Sequence, residues 1–215
     1  MLQYVAWGVK AVKMKVGALD VREDARRVEA VRRAVGEDVK LLVDANCAYS
    51  VPDALRFADR IRELDVYWFE EPVLPDDYAG MREITRHSSI PLAAGENEYT
   101  KYGFRDLMTG GNVRILNADA LVVGGITEFM KVAAMAQAHH CLVAPHGRQI
   151  IHAHLQCAIH NALILEYYPE RFDRVGDSIF QASLRLNPDG TVSPPNVPGH
   201  GFAPNDEALA PYRIM

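Results

Sequence analysis

Two stretches of sequence decide the fold, KLLVDAN at positions 40–46 and VYWFEEP at positions 66–72. Each is a short apolar run that is rich in β-branched or aromatic residues and ends in carboxylates. Continuous apolar runs of this length are typical of strands buried on both faces of a parallel sheet. The amphipathic segment between them, 50–65, has a capping serine and a proline in its first turn, which predicts a helix.

The same strand–helix unit recurs along the chain in both directions. Apolar runs occupy positions 11–17, 40–46, 66–72, 91–97, 115–123, 141–147 and 162–168, and predicted helices lie between them at about 20–36, 50–65, 77–88, 99–110, 126–140 and 149–160. Charged residues stand at the C-terminal end of every run. In a closed barrel all strand ends face one mouth, whereas in an open sheet the ligand groups gather at one switch point. We therefore predict an α/β chain with a TIM-like (β/α)7β barrel.

A closed barrel needs eight strands, and this sequence offers seven. Because the chain begins within a predicted helical segment, VAWGVKA at 5–11, we expect the first strand to precede Met1. Residues 1–170 would then supply strands 2–8 of the barrel. Residues 171–215 are rich in Pro and Gly and predict an irregular C-terminal tail. Seven strands would leave two open edges, which favour pairing with a second copy, so we expect a homo-oligomer.

Composition narrows the classes of function. The formal net charge of −5 argues against a nucleic-acid partner, because phosphate binding needs a basic surface. No apolar run approaches the roughly 18–20 residues that span a bilayer, so no membrane partner is expected. The three cysteines, Cys47, Cys141 and Cys157, are odd in number and widely spaced. This usage favours a reducing compartment and a cytoplasmic location.

Three carboxylates follow one another at a constant interval. Asp44, Glu70 and Glu96 are each 26 residues from the next, and each closes an apolar run. One strand–helix unit per step would set them side by side on adjacent strands. Three clustered carboxylates repel one another unless a cation neutralises them. Oxygen ligands of this kind suit Mg²⁺, and Mn²⁺ is an alternative, although each acid taken alone would be an ordinary surface residue.

The order of motifs along the chain resembles the mandelate racemase subgroup of the enolase superfamily, the mandelate racemase/muconate lactonizing enzyme type. The matching motifs are KxK (Lys13, Lys15), DAN (Asp44, Asn46), EEP (Glu70), GEN (Glu96), an Asp before a GG turn (Asp119), PHG (His146) and LE (Glu166). The resemblance spans positions 11 to about 168 and implies an N-terminal α+β capping domain, lacking here, on which the tail would pack. That domain closes over the barrel mouth in the family.

The resemblance also implies a role for each motif residue. The three evenly spaced carboxylates would bind the metal ion. Lys15 would act as one acid/base group, while Lys13 would lower the pKa of Lys15 by like-charge repulsion and reach the substrate carboxylate. His146 would be the second acid/base group, on the opposite face, and Asp119 would orient it and make it more basic.

Two further motif residues are expected to contact the substrate. Glu166 would hydrogen-bond the substrate carboxylate or the developing enediolate as a protonated acid, and Asn46 would bind the substrate. The three histidines after the PHG motif, His152, His154 and His160, fall on a predicted helix. We expect them to pack or face solvent rather than to bind zinc.

The sequence leaves three functions open. The leading hypothesis is Mg²⁺-dependent removal of the proton beside a carboxylate, in a lyase that dehydrates a sugar acid to a 2-keto-3-deoxy acid. The second is a racemase, epimerase or lactone cycloisomerase with the same site. The third is a truncated, non-catalytic fragment that binds metal. In the first two cases the partner is a small-molecule carboxylate.

Overall fold

The computed structural model describes residues 1–169 and 179–214. Six parallel strands form one sheet in chain order: β1 (Ala11–Lys15), β2 (Lys40–Asp44), β3 (Val66–Glu70), β4 (Leu92–Ala94), β5 (Ile115–Leu116) and β6 (Leu142–Val143). A helix follows each strand, as the alternating pattern predicts, and the chain has the TIM-like α/β architecture. The predicted fold class is confirmed.

The helices are α1 (Leu2–Ala6), α2 (Val21–Val35), α3 (Val51–Ile61), α4 (Tyr78–His87), α5 (Thr100–Thr109), α6 (Ile126–Ala138), α7 (Gln149–Ala158) and α8 (Asp206–Leu209), with a 3₁₀ turn at Ala210–Tyr212. Helices α2 to α7 fall where the amphipathic segments predict them. The first helix ends at Ala6, before most of the predicted segment 5–11, and α8 lies in the tail that was predicted to be irregular. Capping explains two of the starts. The Asp20 carboxylate accepts the backbone N–H groups of Arg22 and Glu23 at the start of α2, and the Ser50 hydroxyl accepts that of Asp53 in α3.

The fifth and seventh apolar runs differ from the prediction. In 115–123 only the first two residues pair as a strand, because the backbone after Asp119 closes a turn in which Val122 and Val123 donate to its carbonyl oxygen. The seventh run forms no named strand within the described residues. It continues the sheet through a single parallel bridge from Ala162 to Val143.

Two hydrophobic layers lie on opposite faces of the sheet. The larger one fills the space between the sheet and the helices. The smaller one lines the inner face and consists of Leu42, Trp68, Ala93, Ile115 and Ala144. Because side chains alternate along a strand, the residues two positions further on, such as Asp44 and Glu70, also point inward at the C-terminal ends. The sheet therefore brings the polar motif residues to one mouth.

Arg32 joins α2 to the turn that precedes β3. This largely buried guanidinium donates to four backbone carbonyl oxygens, those of Gly36, Val39, Leu64 and Asp65. Gly36 is the C-cap residue of α2, Val39 directly precedes β2, and Leu64 and Asp65 directly precede β3. The side chain thus fixes the spacing of two neighbouring units at the N-terminal end of the barrel.

The described part of the tail packs on α7. Leu184 and Phe202 are buried against Ile150 and Ala153 of that helix, while the residues beside Gly190 approach Gly8 closely. Residues 170–178, at the junction of the two predicted domains, lie outside the described residues. Packing of the tail on an upstream capping domain stays a prediction. Within the described ranges, no helix is both long and apolar enough to cross a membrane.

Candidate active site at the C-terminal ends of the strands

The structure brings the three evenly spaced carboxylates together. Asp44 and Glu70 are paired directly across β2 and β3, and Glu96 follows two residues after the end of β4. One oxygen of each lies within 4.8 Å of the others. Asp44 and Glu70 are fully buried. The prediction that one strand–helix unit per step would juxtapose these groups matches the geometry.

Burial and neighbouring charge act on Glu70 in opposite directions. Its Oε1 accepts from the Lys13 ammonium at 2.6 Å and its Oε2 accepts from the Trp68 indole N–H at 2.9 Å. Burial raises the pKa of Glu70 to about 7, with a further contribution from Asp44, while Lys13 opposes the rise. Ionising this buried carboxylate costs desolvation free energy, so contact with a second cation stabilises the charged form.

Lys13 stands at the centre of three acids. Its Nζ lies 2.6 Å from Glu70, 3.3 Å from Asp44 and 2.8 Å from Glu166. Burial alone would lower the pKa of Lys13, but the charges of Glu70, Glu166 and Asp44 outweigh it and hold the pKa above its ordinary value. Lys13 is therefore a fixed cation. Its expected effect on the acidity of Lys15 stays a prediction.

Lys15 and Asn46 occupy the β1–β2 side of the mouth. The Lys15 ammonium donates to Asp44 at 2.5 Å and also to the side-chain oxygen of Asn46. Asn46 in turn donates through Nδ2 to Glu96 at 3.2 Å and through its backbone N–H to Asp44 at 2.9 Å. Its φ of +41° turns the chain so that these contacts form. Asn46 thus links Lys15 to Asp44 and Glu96. Its contact with substrate stays a prediction.

His146 and Asp119 pair on the other side of the mouth. His146 Nδ1 lies 3.2 Å from Asp119 Oδ2, and its Nε2 lies 3.6 Å from Glu96 Oε2. The hydrogen bond to Asp119 raises the pKa of His146 and outweighs the opposing effect of burial. Burial would raise the pKa of Asp119, but the bonds from His146 and the Leu121 backbone N–H lower it. The expected orientation of His146 by Asp119 therefore has a geometric basis.

Glu166 differs in protonation from the expectation. Its Oε1 contacts Lys13 at 2.8 Å and its Oε2 accepts the Gly147 backbone N–H at 2.8 Å. Burial would raise the pKa of Glu166, but the charge and hydrogen bond of Lys13 outweigh it and hold the pKa below its usual range. The ion pair with Lys13 favours the ionised form here, and the protonated acid in contact with substrate stays a prediction.

Sequence reasoning did not find two polar contacts of the site. The Trp68 indole holds Glu70, and no sequence signal separates this tryptophan from an ordinary strand residue. His152 was predicted to pack or face solvent, and it is fully buried with its ring 3.4 Å from Asp119. His154 also lies on α7, whereas His160, predicted on the same helix, lies beyond its end at Ala158. None of the three belongs to the one group of possible metal ligands found among the described residues.

Cys47 also lies near the acids but is not a reactive thiol. Its Sγ donates to the Glu71 carboxylate at 3.4 Å. Burial, followed by the charge of Glu71, raises the pKa of Cys47 to about 12. A thiol of this acidity stays protonated at neutral pH and is a poor nucleophile.

A cavity of about 1120 Å³ opens from the site along β1. Lys13, Lys15 and Glu166 line its polar end, and Tyr4 and Trp7 of the N-terminal segment lie at its apolar end. The volume exceeds the roughly 300–1,000 Å³ of ordinary small-molecule pockets.

The residues present fit a hard divalent cation. Three carboxylates from adjacent strand ends supply oxygen ligands. The buried Oε2 of Glu96 has no hydrogen-bond donor within the part of the chain that the structure describes. A buried charged oxygen without a donor is costly unless a cation compensates it. The donor set favours Mg²⁺.

A family profile described as "Enolase C-terminal domain-like" matches residues 1–208. The chain belongs to this family of the enolase superfamily. The resemblance seen in the motifs is therefore confirmed. The match includes every motif residue and extends through most of the tail.

Curated relatives within the family carry out different reactions. The chain is 36% identical over 207 residues to the 3,6-anhydro-alpha-L-galactonate cycloisomerase of Streptomyces coelicolor, covering 96% of this chain and 56% of the relative. It is 33% identical over 215 residues to the arabinonate dehydratase of Saccharolobus solfataricus, covering 98% and 57% respectively. The chain thus spans about half the length of the curated relatives it matches.

A solved structure extends the likeness to three dimensions. A racemase from Streptomyces coelicolor with bound magnesium superposes with a TM-score of 0.90 at 34% identity, covering 97% of this chain and 56% of that one. Enolase-superfamily members related to this chain thus include a cycloisomerase, a dehydratase and a racemase, and this neighbour holds magnesium. Nothing in these matches supports manganese.

Proposed function

We propose that this chain forms the catalytic barrel of a Mg²⁺-dependent sugar-acid dehydratase. The observation that carries the proposal is the placement of two acid/base groups at opposite ends of the carboxylate set. Lys15 contacts Asp44 at one end, and the His146–Asp119 pair lies beside Glu96 at the other. A substrate held between them meets one group on each side.

Asp44, Glu70 and Glu96 would hold the magnesium ion. The ion supplies positive charge that stabilises the second negative charge formed when a carboxylate loses its α-proton. Lys13 supplies a fixed positive charge from the same side, because three acids keep it protonated. Glu166 holds the Lys13 ammonium and the Gly147 N–H in place, so both donors are oriented before the substrate binds.

The two acid/base groups would divide the reaction between them. Lys15 Nζ, in its neutral form, takes the α-proton of the sugar acid. His146 Nε2 donates a proton to the hydroxyl on the neighbouring carbon, which leaves as water while the C–O bond breaks. The enol that remains tautomerises to the 2-keto-3-deoxy acid. Asp119 supports the second step, since it stabilises the protonated ring that acts as the donor.

The second candidate is a racemase, epimerase or lactone cycloisomerase. The same two groups on opposite sides suit inversion, in which one removes the proton and the other returns it. The cycloisomerase at 36% identity favours this candidate on similarity. Both candidates need a protonated acid opposite Lys15, so the reaction product is what separates them.

A non-catalytic metal-binding fragment is the candidate from another class. The chain covers 56% of the cycloisomerase and 57% of the dehydratase, so residues outside it contribute to those enzymes. We also propose that the complete protein is a cytoplasmic homo-oligomer that acts on a small carboxylate. These statements rest on the sequence and the relatives together.

Product analysis separates the candidates. The protein would be incubated with Mg²⁺ and a panel of sugar acids and of their lactones, with products followed by ¹H NMR and a keto-acid assay. Dehydration gives a 2-keto-3-deoxy acid, whereas inversion and ring opening give isomers of the substrate. His146→Asn is expected to abolish keto-acid formation, and His154→Asn, a partly buried position on α7 whose ring contacts the tail, is the matched control. Isomers without keto acid would contradict the dehydratase proposal.

A further inference from the structure

His152 is a buried histidine that the proposed reaction does not use. It lies on α7, six residues after His146, and no part of it is exposed to solvent. Its ring packs against Phe129 of α6 with ring centroids 5.9 Å apart. A fully buried imidazole needs polar partners for its ring nitrogens, since an unsatisfied one is costly.

The polar partners of His152 are the backbone segments that carry the catalytic pair. The backbone N–H of Ala120 donates to His152 Nε2 at 2.9 Å, and Nδ1 lies 3.4 Å from the carbonyl oxygen of Gly147. Because Nε2 accepts, a neutral ring carries its proton on Nδ1, which faces that carbonyl. Ala120 directly follows Asp119, and Gly147 directly follows His146. One side chain therefore joins the two segments immediately after each member of the pair.

The neutral state of this ring matters for Asp119. His152 Nε2 lies 3.4 Å from Asp119 Oδ1, and burial lowers the pKa of His152 despite that charge. The other charged groups whose fields reach the ring are His146 and Glu166. A protonated ring would donate to Asp119 and withdraw the acceptor from Ala120. When the His152 ring is neutral, the Asp119 carboxylate forms its ion pair with His146 alone.

We propose that His152 is a positioning residue for the His146–Asp119 pair. Its neutral ring fixes the loop after β5 against the loop after β6, and so holds His146 Nδ1 at 3.2 Å from Asp119 Oδ2. That distance sets the hydrogen bond through which Asp119 orients the His146 ring. The inference concerns the same site as the proposed function, but it can be tested without turnover.

Three substitutions separate the hydrogen bond from the packing. His152→Gln places an amide oxygen at about the reach of Nε2, so it retains the acceptor for Ala120. His152→Asn carries the same amide but is one bond shorter, and His152→Leu removes both polar contacts. Leu155→Ala is the packing control, because Leu155 is buried on the same helix in the main core. The measurement is the ¹H chemical shift of the His146 Nδ1–H, the group that faces Asp119, by NMR of ¹⁵N-histidine-labelled protein.

The expected result is a downfield His146 Nδ1–H signal in His152→Gln and Leu155→Ala, as in the wild type. In His152→Asn and His152→Leu the signal should move upfield or be lost to exchange with water, because the hydrogen bond to Asp119 lengthens. In a protein that turns over a sugar acid, the same two variants should lower kcat about 10²-fold with little change in KM, since small displacements of catalytic groups have effects of this size.

Either of two results would overturn the proposal. One is a His146 Nδ1–H signal that is equal in His152→Gln and His152→Asn, a comparison that still decides the question if His152→Leu does not fold. The other is an upfield move of this signal in Leu155→Ala that matches the move in His152→Asn, because packing alone would then account for it. Absence of turnover would affect only the proposed function.

Discussion

Glu70 illustrates how individual residues carry the charge of the site. The Lys13 ammonium contacts one of its oxygens and the Trp68 indole N–H contacts the other, so the side chain is held in place. Burial raises its pKa to about 7, so the acid is costly to ionise. Glu96 adds a second cost, because its buried Oε2 has no hydrogen-bond donor among the described residues. Binding a divalent cation relieves both costs, which leads to a direct test of stability.

Magnesium is expected to stabilise the folded protein. At a Mg²⁺ concentration of about 100 times Kd, mass action adds roughly 2.7 kcal/mol to the free energy of unfolding. Glu70→Gln should abolish this gain, whereas Glu63→Gln, an exposed acid, should retain it. Thermal unfolding with added Mg²⁺ or EDTA measures the effect. A melting temperature that is indifferent to Mg²⁺ in the wild type would contradict the metal site.

The His146–Asp119 pair is expected to stabilise the fold in a pH-dependent way. The folded pKa of His146 is raised above the ordinary value of about 6.5. Its contribution is therefore fully present below that value and is lost as the pH rises through the folded pKa. The difference in unfolding free energy between wild type and Asp119→Asn should shrink over this rise. Urea denaturation across the range checks this, and a constant difference would count against the pair.

At the scale of secondary-structure elements, Arg32 connects two strand–helix units. Its guanidinium satisfies four carbonyl oxygens at the ends of α2 and before β3. Arg32→Leu should lower the free energy of unfolding by about 3 kcal/mol or more, because buried acceptors lose their donors. Arg33→Leu, on the exposed face of the same helix, should change it little. Equal effects of the two substitutions in chemical denaturation would show that the network is unimportant.

The elements and the main acids could be predicted because their signals are local. Apolar runs and capping residues such as Asp20 and Ser50 mark strands and helix starts, and the interval between the three acids follows from one unit per step. The turn after Asp119 could not be predicted, since ALVV has the composition of a strand. The ion pair of Lys13 with Glu166 and the buried position of His152 depend on side chains brought together by the fold.

At the scale of the whole molecule, the sheet has an open edge. Among the described residues β1 pairs only with β2, and the segment after α7 pairs with β6 through one bridge. The cavity of about 1120 Å³ lies between them, lined by residues 11–15 on one side and 164–168 on the other. An eight-stranded barrel would have a strand in this position.

We therefore expect the 215-residue chain, expressed alone, to self-associate or aggregate and to show little turnover. An exposed parallel edge invites pairing with another chain. Adding roughly 130–150 upstream residues, enough for a domain of typical size and one strand, should give a soluble enzyme. Size-exclusion chromatography and a keto-acid assay on both proteins test this expectation. A monomeric, active 215-residue chain would contradict it.

Exchange of the substrate α-proton is the most direct test of the proposed chemistry. A panel of sugar acids would be incubated in D₂O with the protein that contains this barrel, and the α-proton signal followed by ¹H NMR. We predict Mg²⁺-dependent loss of the signal from at least one acid, with exchange greatly reduced in Lys15→Met and retained in His154→Asn. Loss of the signal that is equally fast with EDTA, or unchanged in Lys15→Met, would contradict metal-assisted proton removal at this site.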